Sequence, residues 1–396
     1  VAVVNPHRTD SECDFREYAG VGVVFKLVCA LEGDSDTIYE KYSDLAAIGT
    51  LADVVPVIDE NRVIVKKGID KIRNSHRCGI EALKAVSGTD KRVFNANSVA
   101  FGIAPRINAA GRMKSAKTAV ELLLCDDSEK AMAMAQEIDA ANKERQAIES
   151  ETSARAIEII ESDDRIKYAP IIVVSGENWH QGVIGLIAAK VKEAYGKPAI
   201  VISKLGDIAK GSGRSVEGFP LCDAVFACSD LLTHRGGHPM AVGLSLDSEN
   251  IPAFRRKINE FADNFGKMPY DKINIECKLN PAYINLDLID SLSLMQPYGA
   301  GNPTPVFGLY NMTLKNITPL SANRHLRLTL SRNNIQITAM KFFTSTEEFP
   351  YKIGETLDLA VNLDRNEFNG NVSVSVIVKD IKSSDCDTEK LLDSRT

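Results

Sequence analysis

The sequence has no apolar run approaching the ~20 residues needed to cross a bilayer. It also lacks a basic segment followed by an apolar one, so neither a membrane span nor a secretory signal is read from it. There is no C-x-x-C pair. The eight cysteines (Cys13, Cys29, Cys78, Cys125, Cys222, Cys228, Cys277 and Cys386) are scattered along 396 residues. That reads against a disulfide or zinc framework and for reduced thiols in a cytoplasmic protein. Positive charge is not in surplus, since the net charge is -6. Taken alone, this argues against a nucleic-acid binder. A local basic groove is still allowed, because affinity for phosphate depends on where Lys and Arg stand. Tryptophan occurs once, at Trp179, and residues 116–164 contain neither glycine nor proline.

What is present is ordinary for a globular protein: 44% hydrophobic and 25% charged residues, in a chain long enough for two or three domains. The chain opens on an apolar run, Val1–Val4, that reads as a buried strand. A strand opening a chain suggests either a trimmed polypeptide or a fragment whose first half-domain is absent. Residues 1–115 continue as α/β material, with helices over Tyr18–Leu31 and Asn61–Ile72 and a strand or helix over Leu45–Thr50. Asp126-Asp127-Ser128-Glu129 offers a cap and capping box, which predicts one helix over Ser128–Glu161, about 50 Å long. Its middle carries almost no apolar stripe, the pattern of a helix bridging two domains through solvent. Residues 166–265 read as a second α/β unit. Strands are expected at Ile171–Ser175, Ala199–Ser203 and Ala241–Leu246, with helices at Val183–Ala194, Leu221–Leu232 and Ile251–Phe265. From 270 to 383 strand-like runs recur at short intervals, as in a small antiparallel barrel. The polar tail from 384 reads as disordered.

Several segments could carry chemistry. Asp53, in Gly49-Thr50-Leu51-Ala52-Asp53-Val54-Val55-Pro56, is either a capped turn or a metal ligand at the end of a buried element. Arg106, Asn108 and Arg112 stand among small residues that let a ligand approach, and arginine forks match phosphate oxygens. Trp179 beside His180 offers a stacking face and a polar tip ahead of a glycine-led helix start. Lys210-Gly211-Ser212-Gly213-Arg214-Ser215 and Arg235-Gly236-Gly237-His238-Pro239 read as two glycine-rich turns. If they converged they would form a phosphate pocket. From His325 to Ser331 the pattern alternates strictly. Between Ser321 and Phe343 lie Arg324, Arg327, Arg332 and Lys341 with no acid, which is either a solvated face or a single-strand-binding one.

Together these segments resemble the RecJ branch of the DHH phosphoesterases. The resemblance rests on Val3–Arg8, Tyr18–Leu27, Gly49–Pro56, Ala104–Met113, Asn142–Gln146, Trp179–Gly185, Gly211–Ser215, Gly236–His238 and Tyr298–Phe307. They run in the family's order over nearly the whole chain, to about Lys382. The family's first three metal motifs, including Asp-His-His, have no counterpart here.

The fold this implies is α/β multidomain. It comprises a partial DHH phosphoesterase domain (1–115), a connecting helix (116–165), a DHH-associated α/β domain (166–265), an OB-like β-barrel (270–383) and the tail (384–396). The activity implied is that of a manganese- or magnesium-dependent hydrolase degrading single-stranded DNA from its 5′ end. Two metals would activate water, with Asp53 as a catalytic metal ligand and His238 near the scissile phosphate. Ser212 and Arg214, with Arg106 or Arg112, would hold the 5′ phosphate. Asn108, Trp179, His180 and Ser215 would line the substrate, and Arg324 and Arg327 would guide the strand. Single-stranded DNA, a single-strand-binding protein and a helicase are the implied partners. With Asp53 alone of the metal ligands, the 396 residues themselves are expected to be inactive. The alternatives are a non-catalytic nucleic-acid-binding scaffold and a phosphodiesterase for short oligonucleotides, the latter disfavoured by the OB-like domain.

Overall fold

The computed structural model describes residues 3–91, 93–113, 115–269, 272–368 and 371–385. The expected tail lies almost wholly outside them, as do Cys386, Val1 and Ala2. Two compact units divide the chain, one formed by residues 1–69 with 273–396, the other by 70–272.

The chain begins helically: α1 (Gly20–Glu32), α2 (Ser35–Ala52), α3 (Asp59–Arg73), α4 (Cys78–Ser87), α5 (Ala104–Met113), α6 (Ala116–Leu124) and α7 (Ser128–Ser162). No strand occurs among the described residues before β1; of the opening strand expected at Val1–Val4, the first two residues lie outside them and Val3 and Val4 are not in a strand. Val3 and Val4 are exposed, and the Val3 carbonyl accepts from the Arg8 side chain at 3.4 Å instead of from a neighbouring strand. Leu45–Thr50 is the buried part of α2.

The long helix α7 starts where its cap is legible, with Asp127 accepting from the amides of Glu129 and Lys130 at 3.0 Å each. Its polar middle is solvated on one face only, contrary to the all-round exposure expected from its pattern. Asp139, Asn142, Arg145 and Glu149 are buried, because α4, α5, α6 and α9 pack on this helix. Partners compensate the charges. Arg106 reaches Asp139 at 2.8 Å, Arg145 donates to Glu149, and Lys190 reaches Glu149 at 2.7 Å.

After the short α8 (Asp164–Lys167) the chain builds a five-stranded sheet. Its elements are β1 (Ile172–Glu177), α9 (Ile184–Tyr195), β2 (Ala199–Leu205), β3 (Ile208–Arg214), α10 (Leu221–Ala227), β4 (His234–His238), β5 (Ala241–Asp247) and α11 (Ile251–Phe265). The order is β1-β2-β3-β5-β4, with β1 and β2 parallel and the other pairs antiparallel. One face packs Val173, Ile200, Leu244 and Leu246 against Phe254 and Ile258 of α11. The other packs Val174 and Val201 against Ile187 and Val191 of α9. The two segments read as glycine-rich turns are strands, β3 and β4. Glycine in a strand marks a close approach to another backbone or side chain as readily as a turn.

The last elements are β6 (Cys277–Lys278), α12 (Leu286–Ser293), β7 (Phe307–Leu320), β8 (His325–Arg332), β9 (Ile335–Phe342), β10 (Thr356–Phe368) and β11 (Asn371–Ser383). Pairing runs β10-β11-β9-β8-β7, and β10 pairs with β7 to close a five-stranded barrel. Leu326, Leu328 and Leu330 point into its core, as the alternation requires. No helix of the described residues is long and apolar enough to cross a membrane.

Candidate nucleic-acid interface

In the unit of residues 70–272, three of the residues singled out above come together. Ser212 and Arg214 lie two apart on β3 and so project from one face of the sheet. Arg214 donates to Ser212 Oγ at 3.2 Å and to the Gly213 carbonyl at 2.8 Å. Both side chains press on the first turn of α9 at Gly185. A Cβ there would stand 3.1 Å from Ser212 Oγ and from Arg214 Nη2. Any larger residue would push Ser212 and Arg214 back by a few tenths of an ångström. From the end of α5, Arg112 donates to the Gly182 carbonyl at 3.0 Å. Burial holds the Arg214 pKa below the usual arginine value, and the neighbouring Arg112 charge adds to the effect.

Two guanidiniums and a helix N-terminus repel one another's charge, and α9 has no side-chain cap. An anion would resolve that repulsion, since its oxygens accept from guanidinium forks and from amides at a helix start. His180 flanks the site half-buried, its Nδ1 accepting from the Gly182 amide at 3.2 Å.

His238 belongs to the same sheet face. Arg214 of β3 and His238 of β4 are both paired with Ala241 of β5. The three lie in one row, and His238 stands about 10 Å from Arg214 across two strand spacings. The row beside it is Ser212, Gly243 and Gly236. This part of the sheet is a shallow polar trough floored by small residues. At Gly237 φ is 148°, and a Cβ would stand 2.3 Å from the Ala241 carbonyl oxygen. No other residue keeps the β4 edge this close.

Other candidates go elsewhere. Arg106 is committed to Asp139 at 2.8 Å and to the Gly102 carbonyl at 2.6 Å. It serves the α5–α7 packing instead of joining the anion cluster. Trp179 is 6% exposed in the core beneath α9, so its ring offers no stacking face. Ser215 is buried and donates to the Phe219 carbonyl at 2.8 Å, closing a local turn. Asn108 is exposed on α5.

In the other unit, Asp53 is exposed at the C-cap of α2, its amide bonded to the Gly49 carbonyl at 3.0 Å. It follows a helix, not a strand. A carboxylate at a helix C-terminus opposes the macrodipole, so stability does not explain it. Val54 beside it adopts φ 58°, a strained conformation for a β-branched residue. Among the described residues no three His, Cys, Asp or Glu side chains are grouped to hold a metal ion. The described residues therefore do not build a metal site by themselves, and no catalytic step is derived through one.

Arg324 and Arg327 are exposed on the barrel. Arg327 is in register with Thr318 and Met340, and Thr329 with Asn316 and Thr338, so the β7-β8-β9 face carries cations over an uncharged carpet. The residues missed in the sequence are Phe342 and Phe343. Phe342 ends β9 and Phe343 follows it, both beside His325, with ring centroids 5.3 and 5.2 Å from the imidazole. The only sequence signal for them was two adjacent aromatics at a strand end.

The α/β unit with its mixed sheet and the OB-like barrel are the two architectures for which comparison with known families is informative. Residues 166–264 match the family described as DHHA1 domain, and residues 275–380 match the RecJ OB domain. The chain is 36% identical over 402 residues to the single-stranded-DNA-specific exonuclease RecJ of Bacillus subtilis (strain 168), covering 100% of this chain and 50% of that protein. To the protein of the same name in Escherichia coli (strain K12) it is 31% identical over 404 residues, covering 96% of this chain and 70% of that one. A crystal structure of RecJ in complex with Mn2+ from Thermus thermophilus superposes with a TM-score of 0.82 at 30% identity, over 95% of this chain and 55% of that chain. The chain belongs to the RecJ family. It spans half of the length of the first of these relatives.

Proposed function

We propose that these residues handle the strand in a metal-dependent exonuclease that degrades single-stranded DNA from a 5′-phosphorylated end. The observation that carries the reading is the convergence of Arg112, Ser212 and Arg214 on the start of α9. A terminal phosphate there would accept from both guanidiniums and the Ser212 hydroxyl, in the positive field of the helix start, whose Val183 and Ile184 amides already bond the His180 carbonyl. The glycine-floored trough leads from that pocket past His238, which we assign to the neighbourhood of the scissile phosphate. Asp53 would be one ligand of a manganese or magnesium site. The barrel face with Arg324 and Arg327 would hold the strand further along.

We divide the chain as 1–115, 116–165, 166–265 and 270–383, a division supported by the family matches over 166–264 and 275–380. A single-strand-binding protein and a helicase as partners, and a cytoplasmic location, are proposed on the family's behalf alone. The second reading is a non-catalytic nucleic-acid-binding scaffold, which the same Arg324 and Arg327 barrel face would serve.

The test compares Arg214→Ala and Arg327→Ala on long and short strands with a 5′ phosphate or 5′ hydroxyl. Arg214→Ala should narrow the preference for the phosphorylated end and weaken internal binding little. Arg327→Ala should weaken long-strand binding and lower the salt slope by about one contact, with the end preference unchanged. Equal losses in both variants would remove the distinction between end pocket and strand face. Manganese-dependent release of nucleotides by a full-length protein carrying these residues separates the exonuclease from the scaffold.

A further inference from the structure

We propose that His325, Phe342 and Phe343 form a stacking site for an unpaired base, an inference that rests on the strand-binding reading of the barrel. Phe343 is 81% exposed, and its φ of 55° is left-handed, an uncommon conformation for a bulky residue. The amide of Phe343 donates to His325 Nδ1 at 3.0 Å, which locks that turn. A strained backbone that keeps a large apolar ring in water is not explained by packing. Such outliers persist where the surroundings over-determine them, and they concentrate at binding sites.

The surroundings are rigid. Ser321, Ala322 and Asn323 all have positive φ. Asn323 bonds the 344–348 segment three ways: its Nδ2 donates to Thr346 Oγ1 at 2.9 Å and to Glu347 Oε2 at 2.7 Å, and its Oδ1 accepts from the Thr346 amide at 3.1 Å. Glu348 accepts from the Ser345 amide at 2.9 Å. Glu347 and Glu348 are therefore engaged locally, as is Asp380 of the adjoining cleft, which accepts from the Ile381 amide at 2.9 Å.

The ring geometry leaves room for a base. His325 meets Phe342 at 74° and Phe343 at 87°, edge to face. A base can then stack on Phe343 while its backbone runs toward the exposed Arg324 and Arg327. A cleft of about 450 Å³ adjoins the same ring, lined by Lys341, Pro350 and Tyr351 among others. Stacking on aromatics tolerates any sequence, since every base has a π-face. The ligand class is thus single-stranded nucleic acid read by its bases, not by its phosphates alone.

The test uses the full chain and a single strand carrying 2-aminopurine stepped along its length. One position should be quenched on binding, and Phe343→Ala should abolish that quench and lower affinity roughly tenfold. Phe343→Trp should retain both. An abasic nucleotide at the quenched position should make wild type and Phe343→Ala equal. Arg327→Ala should keep the quench while lowering the salt slope. If Phe343→Ala leaves quench and affinity unchanged while Arg327→Ala weakens binding, the stacking site is overturned and the strand-binding reading stands. If both variants bind as wild type, both fail. Phe343 is exposed, so its loss does not threaten the fold.

Discussion

Val57 donates its backbone N–H to the carbonyl of Ala300 at 2.6 Å. That bond ties the segment after Asp53 to the loop before the barrel. Arg62 reinforces it from α3, donating to the Leu294 carbonyl at 3.3 Å and the Gln296 carbonyl at 3.0 Å. Removing the guanidinium leaves these bonds unmade, at a cost of about 2 kcal/mol. In Arg62→Ala, hydrogen exchange at Val57 should accelerate and the denaturant midpoint should fall. An unchanged Val57 exchange rate would show that the bond does not depend on the arginine.

Asp53, proposed as a metal ligand, lets function be tested apart from stability. An exposed acid at a helix C-terminus is unfavourable by about 0.3–1 kcal/mol. Asp53→Ala should leave stability unchanged or raise it slightly. In a full-length protein it should abolish cleavage and spare strand affinity. Near-normal turnover in the variant would make Asp53 a turn residue. The 396-residue polypeptide by itself should bind strands and leave labelled DNA intact in manganese.

Arg106 and Asp139 should behave as a structural pair, their side chains being 14% and 9% exposed. Breaking a buried pair from one side costs up to about 3–5 kcal/mol, less for Arg106→Ala because Lys143 still reaches Asp139 at 2.7 Å. Asp139→Asn and Arg106→Ala should each lower the unfolding midpoint sharply, and an Arg106→Met/Asp139→Leu double variant should recover much of it. Preference for the 5′ phosphate should be the same in every variant that folds. A lost end preference in a stable Arg106 variant would return that arginine to the phosphate pocket.

Trp179 reports on the core. It packs among Val174, Ile184 and Ile187, and truncation to alanine should cost about 3–5 kcal/mol. Since it is the one tryptophan, its emission can be followed directly. Single-stranded DNA should leave that emission unquenched, and quenching by a bound base would mean that the ring is accessible after all.

What is encoded within a few residues was legible from the sequence alone. The leucines of β8 alternate with a period of two, and this alone sends Leu326, Leu328 and Leu330 into the barrel core. Asp127 caps α7 through amides two and three residues away, so the start of that helix needed no tertiary information. The repeated pairing of arginine with small residues at Arg112 and at Ser212–Arg214 singled out the residues that the structure brings together at the start of α9. Where a side chain's partner lies far along the chain, only the tertiary structure decided. Asp139 stands 33 residues from Arg106 and turns a phosphate candidate into a packing residue. The helices against α7 bury a stripe that reads as solvated. The glycines of β3 and β4 read as turns because their strand neighbours, which they allow so close, are not adjacent in sequence. Trp179 is in the core because α9 folds over it. Local periodicity is a property of the chain, whereas burial and charge pairing depend on which elements meet, and packing settles that.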